Sequence, residues 1–317
     1  YQWLRDGTAI AGATGSTYRI AFLTPQSAGR YSVVVTDSRG SVTSAPAVLS
    51  VDTSANRTMR LSNVSVRARV SSQPMIVGFV VTGGAKPLLL RAVGPTLAQF
   101  NVANFLPNPR LFIYRDATLT AQNDNWGGAP AVAAAATGVG AFPLPPASLD
   151  AAMIGDFFGA QTVQIDGAGG AGVVLAEFYD PAPLSGAAPR IANISARHAV
   201  GSGDGILIAG FSIAGPGVKA VMIRGVGPGL EAFGVTGALQ DPQLEVFSGS
   251  TRTAVNDNWP NTVSYFEAFA QTGAFPLAAG SKDAAIIFYL SPGTYTAQLS
   301  GVGGTTGEGL IEIYELP

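Results

Sequence analysis

The hydrophobic pattern along most of the chain consists of short apolar runs separated by turn-forming residues. The runs are rich in β-branched and aromatic residues and are bounded by clusters of Gly, Pro, Asn and Asp, which is typical of strands and turns. Four clear examples are Leu88–Val93, Arg110–Tyr114, Gln161–Asp166 and Val173–Tyr179. About seven or eight such strands in about 120 residues, without a strand–helix alternation, predict an all-β antiparallel sandwich or jelly roll.

Helical patterns are confined to short segments. A Gly-Pro pair leads into Thr96–Phe100 and again into Gly229–Phe233, and each segment is predicted to form a single helical turn. A longer helix is predicted over Asn261–Gln271, with Asn261 as its N-cap and a glycine just beyond its end. The alanine-rich segment Val132–Thr137 is its weaker counterpart.

The chain contains two tandem copies of one sequence unit, and the spacing between matching residues drifts only from 130 to 135 positions. Self-similarity at a nearly constant spacing is the signature of a repeated structural unit. The matching segments are Arg60–Arg67 with Arg190–Arg197, Ile76–Phe79 with Ile208–Phe211, Arg91–Leu97 with Arg224–Leu230, Asn123–Trp126 with Asn256–Trp259, Gly140–Leu144 with Gly273–Leu277, and Glu177–Tyr179 with Glu312–Tyr314.

Residues 1–52 lie outside the repeat and carry a different pattern. Tyr1-Gln2-Trp3, Asp6-Gly7, the run Ala28–Val33 and the run Ser38–Val42 together resemble the second half of a bacterial immunoglobulin-like domain. The resemblance implies that Trp3 is the core tryptophan of strand C and that Tyr31 is the tyrosine-corner residue near the start of strand F. Val33 stands where antibody-type domains carry their second cysteine, so apolar packing alone would hold such a domain.

The resemblance also implies that strands A and B of the immunoglobulin-like domain are missing. We therefore expect either a longer chain or another chain to supply them. The tandem units resemble repeats found beside such domains in large secreted bacterial surface proteins, and their ends, Pro292–Ala297 and Gly307–Tyr314, look like the final hairpin of prepeptidase-C-terminal-type sandwiches.

These patterns predict three units. Residues 1–52 form the partial immunoglobulin-like domain, residues 60–181 the first β-sandwich repeat and residues 190–317 the second. The segments 53–59 and 182–189 are the predicted linkers.

Composition adds a physical constraint to this picture. Asp, Glu, Lys and Arg make up 12% of the chain, about half of the ~25% usual in globular proteins. A net charge of -2 without a basic run argues against nucleic acid as a partner, and no apolar run reaches the ~18 residues of a spanning helix, which argues against membrane insertion. Cysteine is absent and His198 is the single histidine, so thiol chemistry and His-rich metal sites are excluded.

One cation site is a candidate in each copy. Asp124, Asn125 and Asp150 in the first copy offer hard oxygen ligands, as Ca²⁺ prefers, but Ca²⁺ usually takes six to eight oxygens. The corresponding residues of the second copy are Asp257, Asn258 and Asp283. The alternative is a turn stabilised by Asn and Asp side chains, which Trp126 or Trp259 anchors on the sandwich. No cofactor other than this candidate calcium is expected.

The recurring arginines are predicted to have structural roles. A guanidinium group can bond several carbonyls or a carboxylate at once, so these residues are expected to tie strand ends and loops to Asp124, Asp150 or Glu177 and their counterparts. The recurring arginines are Arg60, Arg67 and Arg91 in the first copy and Arg190, Arg197 and Arg224 in the second. His198 has no counterpart in the first copy and is predicted at the surface or at an interface. The glycine-rich run Gly167–Gly172 is followed by a strand pattern, which favours a hairpin loop over a dinucleotide site.

The function predicted first is a non-enzymatic, extracellular or cell-surface structural protein that assembles with copies of itself into a filament, sheath or layer. An incomplete N-terminal sandwich could accept a strand from a neighbouring subunit, with the tail Glu308–Pro317 as one donor. The alternative is a carbohydrate-binding or adhesion module that holds polysaccharide on Trp126, Trp259, Tyr265 and Phe266. No coherent set of nucleophile, base and stabilising group indicates an enzyme.

Overall fold

A computed structural model of the chain describes residues 1–20, 23, 27–51, 59–183 and 189–316. The structure is mostly β, with 52% strand and 12% helix, and its sheets are antiparallel. The predicted all-β class with a few short helices is confirmed at this level.

The first unit is a small sheet in which the strand order is β2–β1–β3–β4, and β5 pairs with the start of β3. Its strands are β1 (Gln2–Arg5), β2 (Thr8–Ala9), β3 (Gly29–Asp37), β4 (Gly40–Thr43) and β5 (Ala47–Leu49). The segment after β2 returns across the sheet, where the ring of Tyr18 lies 6.0 Å from that of Trp3 and 6.1 Å from that of Tyr31. The hydroxyl of Tyr31 donates to the carbonyl of Ser27 at 2.7 Å, the bond expected of a tyrosine-corner residue.

The two repeats contribute all strands of a second, larger sheet system. The first copy supplies β6 (Arg60–Val70), β7 (Met75–Val93), β8 (Arg110–Arg115), β9 (Thr118–Asn123), β10 (Ala151–Asp166) and β11 (Gly172–Tyr179). The second supplies β12 (Arg190–Val200), β13 (Leu207–Ala214), β14 (Lys219–Val226), β15 (Pro242–Ser248), β16 (Thr251–Asn256), β17 (Ala284–Leu290), β18 (Gly293–Gly301) and β19 (Gly307–Glu315).

The two copies exchange their first strands. Strand β6 of the first copy pairs with β13 of the second, and β12 of the second copy pairs with β7 of the first. The registers match, because Val64 faces Phe211 just as Ile194 faces Phe79. The repeats are therefore interleaved rather than joined only by their linker.

The exchange closes a small barrel and creates a shared core. Strands β6, β11, β7 and β12 pair in turn, and a bridge between Leu61 and Ile191 completes the ring. Phe79 and Phe211, which belong to different copies, lie in one buried apolar cluster. Each copy also has a separate outer core, around Trp126 in the first and around Trp259 in the second.

A glycine and a serine from different copies face each other at the centre of each exchanged pair. Gly78 lies opposite Ser195, and Gly210 lies opposite Ser65. A Cβ atom at either glycine would be 2.7 Å from the opposing serine Oγ, which is closer than unbonded heavy atoms approach. The recurring Ile-x-Gly-Phe motif therefore accommodates the recurring serine of the other copy.

The short helices agree with the sequence except at their boundaries. The 3₁₀ turns Pro95–Phe100 and Pro228–Phe233 follow the Gly-Pro pairs as predicted. Helix α1 spans Pro130–Gly138 and α2 spans Val263–Thr272.

The predicted N-cap of α2 was wrong by one residue. Asn261 has a φ of 49°, which lies in the left-handed region, whereas an N-cap residue has an extended backbone. Thr262, with φ -107° and ψ 161°, occupies the N-cap position instead.

The tail is not available as a donor strand. Strand β19 pairs with β12 on one side and with β14 on the other. The expectation that Glu308–Pro317 complements a neighbouring subunit is therefore wrong for residues 308–315, which are already part of the sheet.

The exchange of strands predicts which second substitution restores the stability lost in Gly78→Ala. Gly78→Ala should lower the free energy of unfolding by about 1 kcal/mol at most, because the new methyl group forces the Ser195 hydroxyl to rotate away. Adding Ser195→Ala should recover part of this loss, and the double-mutant cycle in urea unfolding measures the recovery.

The matched control is Gly78→Ala combined with Ser65→Ala. If each copy paired its own first two strands, the same register would place Ser65 opposite Gly78, and this combination would be the one that recovers stability. Rescue by Ser65→Ala instead of Ser195→Ala would contradict the exchange.

Candidate functional site

The recurring aspartates anchor the loop that follows β7 in the first copy and β14 in the second. Oδ1 of Asp150 accepts from the backbone N–H of Gly94 at 2.8 Å, and its Oδ2 accepts from the hydroxyl of Thr96. Oδ1 of Asp283 accepts from the N–H of Gly227 at 2.8 Å in the same way. Both carboxylates are fully buried, so their oxygens accept hydrogen bonds from the protein and not from solvent.

The Asn-Asp-Asn turns hold a neighbouring strand through their first asparagine. The side chain of Asn123 accepts from the N–H of Ala152 at 2.9 Å and donates to the carbonyl of Asn125 at 3.2 Å. The other candidate calcium ligands of these turns have exposed side chains, namely Asp124, Asn125, Asp257 and Asn258. In the parts of the chain that the structure describes, no cluster of three or more acidic or histidine side chains could hold a metal ion.

The two recurring tryptophans anchor these turns from inside. Trp126 is 6% exposed and Trp259 is 4% exposed. The indole N–H of Trp126 donates to the carbonyl of Pro145 at 2.9 Å, and that of Trp259 donates to the carbonyl of Ala278 at 3.1 Å. Trp3, by contrast, is only half-buried, and its indole N–H donates to the carbonyl of Gly15 at 3.1 Å.

A fully buried arginine joins strand to loop in the first copy. Nε of Arg91 lies 2.9 Å from Oε2 of Glu177, and Nη1 donates to the carbonyl of Phe142 at 2.8 Å. The guanidinium also lies over the Phe142 ring, 4.3 Å from its centroid, and Tyr179 donates to Glu177 at 2.7 Å. The pairing of Arg91 with Glu177 is as the sequence predicts.

The second copy repeats this arrangement. Nε of Arg224 donates to Oε2 of Glu312 at 2.8 Å, Nη1 donates to the carbonyl of Phe275 at 2.6 Å, and Tyr314 donates to Glu312 at 2.8 Å. Both centres therefore combine an ion pair, a carbonyl and an aromatic face around one guanidinium.

A second buried ion cluster lies where the first strand of each copy begins. In the first copy Asp180 lies between Arg60 and Lys86, at 2.9 and 2.8 Å. The second copy places Glu315 at 3.4 Å from Arg190 and 3.8 Å from Lys219. Sequence reasoning missed both acids, although each follows the recurring tyrosine directly.

Glu315 also connects the two copies. Its Oε1 accepts from the backbone N–H of Leu61 at 2.6 Å, and Leu61 belongs to the first copy. Burial raises the pKa of Glu315, only partly offset by Lys219 and Arg190, and burial lowers the pKa of Lys219. His198 of the second copy also contacts the first copy, because its Nε2 is 2.7 Å from the carbonyl of Arg69. Its side chain is buried there, with 6% exposed.

The outer cores of the two copies differ at three helix positions. In α2 the side chains of Tyr265, Phe266 and Phe269 surround Trp259, with ring centroids 6.5, 5.3 and 5.6 Å away. The corresponding residues of α1 are Val132, Ala133 and Ala136.

The smaller residues leave a cavity of about 500 Å³ beside Trp126. Its walls include Arg91, Phe142 and Leu144.

The small sheet has a second notable surface. Strands β4 and β5 form its outer edge and contain no charged residue. Val42 and Val48, one on each strand, are 74% and 71% exposed. Edge strands usually carry lysine, proline or a bulge that discourages pairing with another chain, and this edge has Pro46 between its two strands but no lysine.

Comparison with known proteins gives no assignment, since no family profile matches the chain and no curated protein is significantly similar to it. None of the helices in the described residues has the length and apolarity needed to cross a bilayer.

The anchoring role of Asp150 can be separated from calcium binding. Asp150→Ala should lower the free energy of unfolding by about 3 kcal/mol, because it leaves buried loop N–H groups without an acceptor. Asp124→Ala is the matched control and should change it by less than about 0.5 kcal/mol, because its side chain is exposed. Thermal unfolding with calcium and with a chelator checks both variants. A calcium-dependent stabilisation lost in both variants would contradict a purely structural role.

The pKa of Glu315 predicts an unusual pH dependence. Because the folded state raises this pKa above its ordinary value of 4.5, the folded chain binds the extra proton, and stability falls as pH rises through the raised value. The stability of the native chain relative to Glu315→Gln should therefore decrease as the pH rises above 4.5, by at most about 1.4 kcal/mol per pH unit. Urea unfolding of both proteins at increasing pH measures the difference, and an increase with pH would contradict it.

Proposed function

We propose that the chain is a non-enzymatic structural protein of the cell exterior that assembles with copies of itself into a filament, sheath or surface layer. Within this proposal the first unit is part of an immunoglobulin-like sandwich, and the two repeats are tandem sandwich or jelly-roll units. The interleaving of the repeats supports the proposal. The two repeats of one chain cannot separate without breaking both of the exchanged strand pairs.

The observation that carries the proposal is the uncharged edge of β4 and β5. An edge strand presents unpaired N–H and C=O groups to which another strand can add, and apolar side chains on both sides of it strengthen such an addition. Val42 and Val48 are the two most exposed large apolar side chains among the described residues. The shortage of charge noted in the sequence extends to this edge, so no like-charge repulsion opposes contact.

The space beside Trp3 is not the acceptor in this proposal. The N–H of Trp3 donates to the carbonyl of Ala13 at 2.9 Å, and Tyr18 packs between Trp3 and Tyr31. The same chain therefore covers this part of the small sheet. We therefore propose that molecules associate through the outer edge of β4 and β5 and not by inserting a donor strand beside Trp3.

The partner surface that fits best is strand β9 of a second molecule of this protein. In the described residues β9 pairs with β8 alone, and its sequence Thr118–Asn123 contains no charge. Leu119 on this strand is 45% exposed. A contact between two different edges of the same molecule is heterologous, and repetition of it gives an open polymer rather than a closed dimer.

The polysaccharide alternative is less well supported. Sugar rings stack on exposed aromatic faces, whereas Trp126 and Trp259 are buried and fixed by hydrogen bonds. Phe266, at 44% exposure, is the most accessible of the four aromatic residues considered for it. The net charge of -2 likewise supports a partner other than nucleic acid.

Two single-edge variants test the assembly. Val42→Lys should stop polymer growth by placing a charge on the acceptor edge, and Leu119→Lys should stop it at the donor edge. Val218→Lys is the matched control, because Val218 is 49% exposed in a loop between β13 and β14 and should leave assembly unchanged. Sedimentation velocity and electron microscopy of the purified chain measure the outcome.

Mixing the variants tests the heterologous contact itself. Each variant alone should be monomeric, but a mixture should form dimers, because each partner retains one intact edge. Dimers of Leu119→Lys alone would indicate a symmetric contact between β4–β5 edges and contradict the β9 assignment. A native chain that stays monomeric at high concentration would refute assembly altogether.

A further inference from the structure

Strands β6, β13 and β18 form a continuous sheet face that is turned to solvent. At one end of this face Asn63 is opposite Ser212, and Ser212 is opposite Thr294. A groove of about 620 Å³ lies over these three residues, between the sheet and the segment 138–140 at the end of helix α1. Its volume is within the roughly 300–1,000 Å³ of small-molecule sites.

The face continues from this groove along the strands. The next two outward rows, all of them partly exposed, are Ser65, Gly210 and Thr296, and then Arg67, Ile208 and Gln298. A strand rises about 3.3 Å per residue, so the row of Arg67 lies about 13 Å from the row of Asn63. The three rows together form a mostly polar trough, whose middle row is low because Gly210 has no side chain.

Arg67 brings a positive charge without a partner to the far end of the trough. Among the described residues it makes no side-chain hydrogen bond and no ion pair, and none of its side-chain nitrogens is buried. Arg91 and Arg224, by contrast, are fully buried and paired with Glu177 and Glu312. The guanidinium of Arg67 is therefore accessible to a ligand anion.

Arg69 adds a second charge beside it. Arg69 follows Arg67 on the same side of β6, is exposed, and likewise has no side-chain partner among the described residues. Glu245, on the next strand β15, faces Gln298, and its charge is balanced by a hydrogen-bonded ion pair with Arg252. The described side chains at this end of the trough therefore carry net positive charge.

Neutral hydrogen-bonding groups line the rest of the trough. The hydroxyl groups of Ser212 and Thr294 lie 3.3 Å apart at its groove end. Thr296 and Gln298 are half-buried, and their side chains make no hydrogen bond among the described residues. Phe247, opposite Thr296 on β15, offers part of an apolar ring. Hydroxyl, amide and apolar groups beside a guanidinium suit a sugar that carries a carboxylate.

The equivalent face of the other copy, on β12, β7 and β10, lacks part of this set. There Arg197 takes the place of Arg67, but Ala199 takes the place of Arg69. Glu308 on β19 faces Ala199, so this face has an acid beside its arginine where the first face has a second arginine. The other face therefore provides a control for charge within the same molecule.

We propose that the trough binds a segment of an acidic polysaccharide, one of whose carboxylates is held by Arg67 and Arg69. The hydroxyls of the adjoining sugars bond along β18 and β13 to Thr296, Gln298 and Ser212. A polysaccharide fits better than an acidic peptide, because only one end of the trough is cationic and neutral polar groups line the rest. This site goes beyond the proposed assembly and shares no residue with the β4–β5 edge or with β9.

Oligosaccharides of galacturonate are the first probe, tested beside alginate and hyaluronate oligosaccharides of similar length. Calorimetric titration of the native chain should give one site for at least one of them, with a dissociation constant of about 1 mM or lower. The methyl ester of the galacturonate oligosaccharide keeps its rings and hydroxyls but has no charge. It should bind at least about tenfold more weakly than the acid, and added salt should weaken binding of the acid alone.

Removing the two charges gives the decisive variant. In Arg67→Gln combined with Arg69→Gln, affinity for the bound acid should fall at least about tenfold, while the weak binding of the ester should not change. Arg197→Gln, at the equivalent position of the other face, is the matched control and should bind as the native chain does. Thr296→Val removes one hydroxyl at nearly constant volume and should weaken acid and ester alike, by about threefold or more.

Four results would overturn the proposal. They are no binding of any of the three acidic oligosaccharides, equal binding of the methyl ester, an equal loss in Arg197→Gln, and equal binding of polyglutamate of matched length, which would indicate an acidic peptide instead. Val42→Lys, the variant designed to block assembly, should bind as the native chain does. Failure of the assembly proposal would therefore leave these titrations decisive.

Discussion

The exchange of first strands between the two copies is the constraint on which the rest of the structure depends. Strands β6 and β12 each lie between a strand of their own copy and a strand of the other, so neither copy completes its sheet alone. The bond from Leu61 to Glu315 and the contact of His198 with Arg69 are consequences of this crossing. The linker that joins the repeats therefore does not separate two independent folding units, and their stability is expected to be cooperative.

The scarcity of charge takes on a different meaning once the buried ion pairs are located. Two of the three lysines and three of the six recurring arginines are almost entirely inside the protein. Buried ion pairs add little net stability because desolvation offsets their attraction, but breaking one partner is costly. The clusters at Asp180 and Glu315 each contact the start of an exchanged strand, through Arg60 and Arg190. The surface is left with few charges, which favours association.

Local patterns in the sequence predicted the strands, the Gly-Pro turns and the pairing of Arg91 with an acidic residue, because each depends on residues near in sequence or on a single strong partner. The exchange could not be predicted, because Ser65 would face Gly78 in the same register if each copy paired with itself. The recurring motifs offer the same contacts in both arrangements, so the sequence pattern does not select between them. The cavity beside Trp126 could not be predicted from the sequence either, because an alanine in a weak helix pattern does not indicate unfilled space beside it.

The duplication explains why the two copies could diverge at the helices but not at the exchanged strands. A change at Gly78 or Ser195 affects both copies at once, because each residue packs against the other copy. Helix α1 instead packs on β7 and β10 of its own copy, and α2 belongs to a separate outer core. The difference between Phe269 in the second copy and Ala136 in the first therefore leaves the shared core intact. Residues of the outer cores can therefore change without disturbing the inner core that both copies share.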